Sequence, residues 1–112
     1  ESYLDHHAGK LLARFDANTY LIVTHSMMVH DVGTGRGGIP AALGTVTART
    51  LVVDVDSDRL FQPAQAEELT SGIPGAHRET IHSMHGHDGF LIEADQMEAV
   101  LRRFLAGAED GP

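Results

Sequence analysis

Two residues that together suit proton transfer follow two predicted strands of this chain. Asp58 follows the segment 51–57, and His87 follows the segment 78–83. Catalytic and ligand-binding groups of open parallel sheets gather at the carboxyl ends of the strands, so we expect the two side chains to meet there. A carboxylate that holds an imidazole in one tautomer lets that imidazole take a proton from a hydroxyl group. The order of acid before base therefore predicts the second half of a nucleophile–acid–base triad.

The surroundings of both residues leave a structural interpretation open. Glycines at positions 86 and 89 flank His87 and let the backbone bend sharply enough to present a side chain at a cleft. Asp58 also suits a helix N-cap or a surface ion pair with Arg59. The N-cap interpretation is the weaker one, because the next predicted helix begins only at Pro63.

A cluster of histidines around His87 raises the alternative of a metal site. His82 and His85 lie close to it in sequence, and Asp88 offers a carboxylate oxygen. Zinc accepts such ligands. Side chains at a strand-to-loop junction need not converge, however, and no metal-binding spacing such as HExxH is present. A surface cluster of histidines is the better interpretation, and we predict no metal site.

The segment GTGRGG at 33–38 matches the GxGxxG pattern of dinucleotide-binding loops. That pattern requires a strand before the glycines. Here a helix is predicted over residues 16–30, with Asp16 as its N-cap and apolar residues on more than one side, as in a buried helix. The segment LIVT at 21–24 also suits a strand. We favour the helix and therefore interpret residues 31–38 as a flexible loop.

The remaining elements alternate between helices and strands. After a short helix over residues 40–43, the apolar segment 51–57 predicts a buried strand, and Pro63 opens a helix to about residue 70. Residues 78–83 predict a second strand and residues 86–89 a loop. Asp95 and Glu98 form a capping-box-like start to the last helix, and Gly107 is its C-cap. That helix is the clearest element, because apolar residues recur at i, i+3, i+4, i+7 and i+8: Met97, Val100, Leu101, Phe104 and Leu105.

This alternation is typical of an α/β fold with parallel strands. Two parallel strands do not make a stable sheet alone, because parallel sheets are covered on both faces and paired at their edges. We therefore expect the rest of the sheet to lie outside these 112 residues. The chain begins with glutamate rather than methionine, in keeping with a missing N-terminal part.

Composition argues against several classes of partner. Sixteen acidic residues against eight Lys and Arg give a net charge of −8, whereas a nucleic-acid-binding protein needs a basic face to displace counterions. No apolar run approaches the roughly 20 residues of a membrane span, and the first residues do not resemble a signal peptide. We predict neither a nucleic-acid nor a membrane partner. Without cysteine, the chain has no disulfide and no thiolate metal ligand.

Three separated motifs together resemble the homoserine O-acetyltransferases of the α/β-hydrolase superfamily. They are RFDANTY at 14–20, SDRLF at 57–61 and GHDGFLIE at 86–93, and the similarity covers nearly the whole chain. Their combination in this order is specific, whereas any one of them alone is not. The resemblance implies the C-terminal part of an α/β-hydrolase fold. Residues 1–15 would end a helical lid, and residues 16–112 would supply the last two parallel core strands with their flanking helices.

The resemblance also implies roles for individual residues. It makes Asp58 the triad acid, His87 the triad base, and Asp88 a carboxylate that helps to bind the ammonium group of an amino-acid substrate. Asp88 before Gly89 also suits a turn.

The nucleophile of the family lies in a glycine-rich elbow upstream, and no serine of this chain has the GxSxG context of such an elbow. We therefore expect the nucleophile in an N-terminal part outside this chain, and the chain alone to be inactive.

The implied reaction is acetyl transfer from acetyl-CoA to the hydroxyl group of L-homoserine through a Ser–His–Asp triad, in methionine biosynthesis. No metal or bound cofactor is implied, since acetyl-CoA is a substrate. The resemblance further implies a cytoplasmic homodimer built around the lids. Three alternatives share the fold: a succinyltransferase, a serine O-acyltransferase and an esterase. A non-catalytic, histidine-rich metal-binding module is the remote alternative.

Overall fold

The computed structural model describes residues 2–107. The chain divides into two compact units, Glu1–Val32 and Gly33–Pro112. Position 1 of the predicted lid segment and positions 108–112 of the predicted core segment lie outside the described residues. The boundary between lid and core after residue 15 stays a prediction.

The first unit contains two capped helices, α1 (Tyr3–Arg14) and α2 (Ala17–Val29). The Asp16 carboxylate accepts hydrogen bonds from the first amides of α2, as the sequence predicted, and the alternative of a strand at 21–24 is wrong. None of the residues of α2 is buried within the described part of the chain, so the expected burial of this helix stays a prediction. A helix that is apolar on several sides needs partners on several sides, and residues 2–107 do not provide them.

The second unit has the predicted order of helices and strands, with several differences in detail. The first strand ends at Val55 rather than at 57, and the second spans His77–Ile81 rather than 78–83. Residues 86–89, expected to be a loop, form a 3₁₀ helix (Gly86–Asp88) that continues directly into a short helix. The last helix begins at Ala94, so Asp95 lies inside it and the predicted capping box is absent; Gly107 is its C-cap, as predicted. The regular elements are α3 (Ile39–Leu43), β1 (Leu51–Val55), α4 (Pro63–Gly72), β2 (His77–Ile81), α5 (Gly89–Ile92) and α6 (Ala94–Ala106).

The two strands run parallel and in register, from Leu51 opposite His77 to Val55 opposite Ile81. Successive side chains of a strand point to opposite faces. On one face Val55 and Ile81 pack with Val100 of α6, and Ile81 is fully buried. On the other face both strands contact α4. The α/β arrangement with parallel strands is therefore confirmed, and it brings the carboxyl ends of β1 and β2 to the same edge of the sheet.

The sheet has only these two strands within residues 2–107, so the second edge of β1 has no strand partner there. The side chains of Val52 and Val53, on opposite faces of this edge, both line one open pocket. This agrees with the expectation that two strands of this kind form part of a larger sheet. None of the helices described in residues 2–107 combines the length and the apolar character that spanning a membrane requires.

Candidate active site

Asp58 lies in the turn that ends β1, and its side chain is only 5% exposed. Its carboxylate Oδ1 accepts hydrogen bonds from the backbone amides of Leu60 (2.7 Å) and Phe61 (3.1 Å). These bonds hold the carboxylate in one orientation. The alternative of a helix N-cap is wrong, because α4 is capped by Gln62. No ion pair joins Asp58 to Arg59 among the pairs found in residues 2–107.

His87 faces Asp58 across the end of the sheet. Its ring Nδ1 lies 2.8 Å from Asp58 Oδ2, which is the distance of a strong hydrogen bond. Gly86 has φ +58°, a left-handed conformation that favours glycine. A Cβ on Gly89 would lie 2.8 Å from atoms of Ser83 and Val55, so only glycine lets this turn pack against the strand end. The predicted convergence of the two side chains is confirmed.

The charge on Asp58 decides which atom carries the proton in this hydrogen bond. Burial raises the pKa of the Asp58 carboxyl, but the hydrogen bonds from His87 and from two backbone amides outweigh burial, and the pKa lies below its ordinary value of 3.8. The carboxylate is therefore ionised at neutral pH and can only accept. It follows that Nδ1 of His87 donates, which leaves Nε2 of the neutral ring as an acceptor for the proton of a hydroxyl group.

Two aromatic rings flank the His87 ring. The centroid of Phe61 lies 5.1 Å from that of His87, and the centroid of Phe90 lies 5.6 Å from it. All three rings line a pocket of about 370 Å³. Asp58 and His87 line that pocket together with mostly apolar side chains of β1, α4 and the segments that follow the strands. Asp58 and the oriented His87 ring thus lie beside an apolar pocket at the edge of β1 that has no strand partner within residues 2–107.

Asp88, the third predicted site residue, is exposed and stands at the end of the 3₁₀ helix. It occupies the N-cap position of α5, but its side chain makes no capping hydrogen bond there. The structure does not place it among the side chains that line the pocket of Asp58 and His87. Adjacent residues in a tight helix point in different directions, which explains the separation.

The other histidines of the cluster do not converge on His87. His82 Nδ1 lies 2.9 Å from Asp56 Oδ2, in a pair that is largely exposed. The backbone amide of His85 donates to Ser83 Oγ. Within residues 2–107, no three or more His, Asp or Glu side chains are grouped so that they could hold a metal ion.

Three carboxylates at alternate positions, Asp54, Asp56 and Asp58, were not predicted as a group. Asp54 lies within β1 and accepts two hydrogen bonds from the Arg78 guanidinium, each 2.9 Å long. The hydrogen bonds from Arg78 and the charge of this guanidinium hold the pKa of Asp54 below its usual range. Asp56 pairs with His82 and Asp58 with His87. The period of two from Asp54 to Asp58 is visible in the sequence and predicts that the three side chains share one side of the strand and its extension.

The chain is similar to known proteins over nearly its whole length. A scan against models of protein families finds no match. The chain is 54% identical over 107 residues to the homoserine O-acetyltransferase of Thermobifida fusca, and 49% identical over 110 residues to that of Corynebacterium jeikeium. These alignments cover 95% and 97% of the chain but 28% of each relative. The homoserine O-acetyltransferase of Mycobacterium ulcerans is 44% identical over 98% of the chain.

The chain corresponds to a C-terminal portion of the homoserine O-acetyltransferases. It spans about 28% of the length of these curated relatives, and the resemblance that the three motifs carry is confirmed. Among solved structures, an acetylester hydrolase from Corynebacterium glutamicum matches with a TM-score of 0.65 and 31% identity, over 80% of this chain and 27% of that one. The predicted fold class, a C-terminal part of an α/β-hydrolase fold, is therefore confirmed as well.

Proposed function

We propose that this chain supplies the acid and the base of a Ser–His–Asp triad in an acyltransferase that moves an acetyl group from acetyl-CoA to the hydroxyl of L-homoserine. The observation that carries the proposal is the 2.8 Å hydrogen bond between Asp58 and His87 at the carboxyl ends of two parallel strands. The similarity to homoserine O-acetyltransferases supports the choice of reaction. The nucleophilic serine would come from an N-terminal part of the full-length protein, by which we mean the polypeptide that joins this chain to that part.

The first half of the reaction forms an acetyl-enzyme. The serine hydroxyl gives its proton to Nε2 of His87 as the serine oxygen attacks the thioester carbonyl of acetyl-CoA. The carbon–sulfur bond then breaks, and the departing thiolate takes the proton from His87, so that free CoA leaves. Asp58 stabilises the imidazolium that exists between these two proton transfers and keeps the ring in the productive tautomer.

The second half transfers the acetyl group to the acceptor. The hydroxyl of homoserine gives its proton to Nε2 of His87 and attacks the acetyl ester. The ester bond to serine breaks, and the serine oxygen takes the proton back from His87. The products are O-acetylhomoserine and the free enzyme. No metal and no bound cofactor takes part in this scheme, since acetyl-CoA is consumed as a substrate.

Asp88 is proposed to contribute to recognition of the acceptor. Asp88 directly follows His87 in the sequence, its side chain is exposed, and a carboxylate attracts the ammonium group of an amino acid. We place the full-length protein in methionine biosynthesis, as a cytoplasmic homodimer built around its lids, because the resemblance implies these properties.

An esterase is the second candidate, and the match to an acetylester hydrolase favours it over a succinyltransferase or a serine O-acyltransferase. In an esterase the same pair would activate a serine, but water would replace homoserine in the second half. The two transferases would differ from the proposed enzyme in the acyl group or in the acceptor. Asp88 bears on this choice, because an ammonium-binding carboxylate is useful for an amino-acid acceptor and not for water.

Release of CoA by the full-length protein, measured with different donors and acceptors, tests the proposal. We expect rapid turnover with acetyl-CoA and L-homoserine, and slow release with succinyl-CoA, with L-serine or without an acceptor. Release from acetyl-CoA that does not depend on homoserine, together with hydrolysis of simple acetyl esters, would establish the esterase instead. The metal content of the same purified preparation is also measured. A stoichiometric metal together with no turnover would establish the metal-binding module.

A further inference from the structure

The hydroxyl group of Ser57 joins the two segments that carry Asp58 and His87. Ser57 Oγ donates to the backbone carbonyl oxygen of Ser83 at 2.5 Å and accepts from the backbone amide of Gly86 at 3.0 Å. These bonds connect residues that are 26 and 29 positions apart in the chain. A single half-buried side chain therefore ties the turn after β1 to the turn after β2.

The position of this bridge relates it to the pair of Asp58 and His87. Ser57 immediately precedes the acid, and Gly86 immediately precedes the base. Asp56 also joins the two segments, through its carboxylate to the backbone amide of Ser83 (3.1 Å), but that bond lies farther from His87 along the chain. The hydrogen bond between Ser57 and Gly86 thus joins the residue before Asp58 to the residue before His87.

The bridge from Ser57 bears on the hydrogen bond between Asp58 and His87, because hydrogen bonds are sensitive to distance and angle. Asp58 is held on its own segment by two amides of the following turn. His87 is held on the other segment, so the 2.8 Å contact between them depends on how the segments are placed relative to each other. Gly86 adopts φ +58°, and this left-handed turn accompanies the bond from its amide to Ser57.

We propose that Ser57 is a positioning residue for the triad: its hydroxyl sets the distance and angle between the Asp58 carboxylate and His87 Nδ1 and does not itself touch the substrate. This inference rests on the proposed function for its effect on turnover. Its effect on the hydrogen bond between Asp58 and His87 can be observed without any activity, so the two proposals can fail separately.

The test uses three variants of the full-length protein. Ser57→Ala removes both hydrogen bonds, and Ser57→Thr keeps the hydroxyl. Ser83→Ala is the matched control. It deletes a hydroxyl group of the turn after β2 that accepts a hydrogen bond from the nearby backbone amide of His85. It leaves the Ser83 carbonyl, which accepts from Ser57, in place. For each variant, kcat and KM are measured for both substrates, and proton NMR follows the downfield resonance of the hydrogen between His87 Nδ1 and Asp58.

We expect Ser57→Ala to lower kcat by about 10-fold to 100-fold, since small misplacements of reacting groups have effects of this size. KM for both substrates should change by less than about twofold, because no substrate contact is lost. The downfield resonance should be lost or broadened in Ser57→Ala, and it should remain in Ser57→Thr and Ser83→Ala, which should also keep most of kcat.

Two results would overturn the inference. The first is a Ser57→Ala protein that keeps both its kcat and its downfield resonance, whatever happens to its thermal stability. The second is a Ser57→Ala protein whose defect is matched by Ser83→Ala, which would make the effect a general loosening of the turn. If the wild type shows the resonance and Ser57→Ala loses it, but no preparation transfers acetyl groups, the positioning role stands and the proposed reaction fails.

Discussion

Two histidine–aspartate pairs stand side by side at the end of this sheet. The pair of His82 and Asp56 has an Nδ1···Oδ2 distance of 2.9 Å, and the pair of His87 and Asp58 has one of 2.8 Å. Their surroundings differ much more than their distances. The side chains of His82 and Asp56 are 77% and 44% exposed, whereas those of His87 and Asp58 are 39% and 5% exposed.

The two pairs therefore share a hydrogen-bond geometry but differ in how far each is withdrawn from water. Water competes for the exposed pair and screens its charges. The Asp58 carboxylate is instead withdrawn from water and held by two backbone amides, and aromatic rings flank its histidine partner. Electrostatic interactions are stronger in such surroundings, and an oriented group loses little entropy on reaction. Asp58 and His87 also line the apolar pocket at the edge of β1.

Removal of the base should have the largest effect. We expect His87→Ala to reduce kcat of the full-length protein to background, on the order of 10⁶-fold, as for the histidine of a protease triad. The reason is that this variant removes the group proposed to take the proton of the nucleophile. Steady-state release of CoA in the presence of homoserine measures this, and a circular dichroism spectrum like that of the wild type would show that the fold is intact.

Asp58→Asn should have the next largest effect. The amide can donate to Nδ1 and so favour the wrong tautomer, which in a serine protease triad costs about 10⁴-fold in kcat. We expect a loss of similar order in the same assay. If Asp58→Asn keeps more than about a tenth of the wild-type kcat, Asp58 is a structural residue of the turn, as its bonds to Leu60 and Phe61 alone would allow.

Asp88→Asn should weaken binding of the acceptor homoserine and should not affect acetyl transfer to the enzyme. It removes the negative charge of the residue that follows His87 in the sequence, while the nucleophile, base and orienting acid remain. We expect KM for homoserine to rise by about 10-fold or more, since a charged hydrogen bond is weakened. The burst of free CoA without homoserine should survive. Loss of that burst with an unchanged KM would assign Asp88 to the acylation step.

The pKa of Asp58 leads to a prediction about stability against pH. This pKa is lower in the folded protein than its ordinary value of 3.8. The ionised carboxylate therefore stabilises the fold above the ordinary value, and this stabilisation is lost as the pH falls through the folded pKa. The difference in thermal midpoint between wild type and Asp58→Asn should be largest near neutral pH and should shrink below the ordinary value. A difference that grows on acidification would mean that the folded pKa is raised.

The smallest effect should come from the exposed pair. We expect His82→Ala to change kcat and KM by less than about twofold, because exposed ion pairs contribute little. This variant is the matched control for His87→Ala, since each loses one imidazole that bonds to an aspartate after β1. A loss of more than about 10-fold in His82→Ala would remove the distinction between the two pairs.

The sequence predicts the parts of this structure that are specified by patterns of neighbouring residues. Periodic apolar residues predict β1 and α6, and the parallel strands in turn predict that Asp58 and His87 meet. The predicted N-cap of α6 was Asp95, two residues after the observed N-cap Glu93, so Asp95 lies inside the helix and has no capping role. Helix boundaries are hard to predict because neighbouring turns compete to be the first turn of the helix. The 3₁₀ helix that continues into α5 was not predicted because it is too short to show a periodic pattern of apolar residues.

The contacts that distinguish the two pairs were not predicted because they join distant positions. The bridge from Ser57 to Gly86 and the approach of Phe61 to His87 each cross more than 20 residues, and no local pattern specifies them. They follow from the register of the two strands, which sets where each turn begins. The alternation of Asp54, Asp56 and Asp58 was visible in the sequence, but their different partners depend on β2.

Acetylation of the enzyme tests the central claim most directly. The full-length protein is mixed with acetyl-CoA alone, and mass spectrometry of its peptides locates any covalent acetyl group. We predict one acetyl group on a serine outside residues 1–112 in the wild type, in Asp88→Asn and in His82→Ala, and none in His87→Ala. An acetyl group on a residue of this chain, or the same serine acetylated equally fast in His87→Ala, would contradict the assignment of Asp58 and His87 as the acid and base that activate the nucleophile.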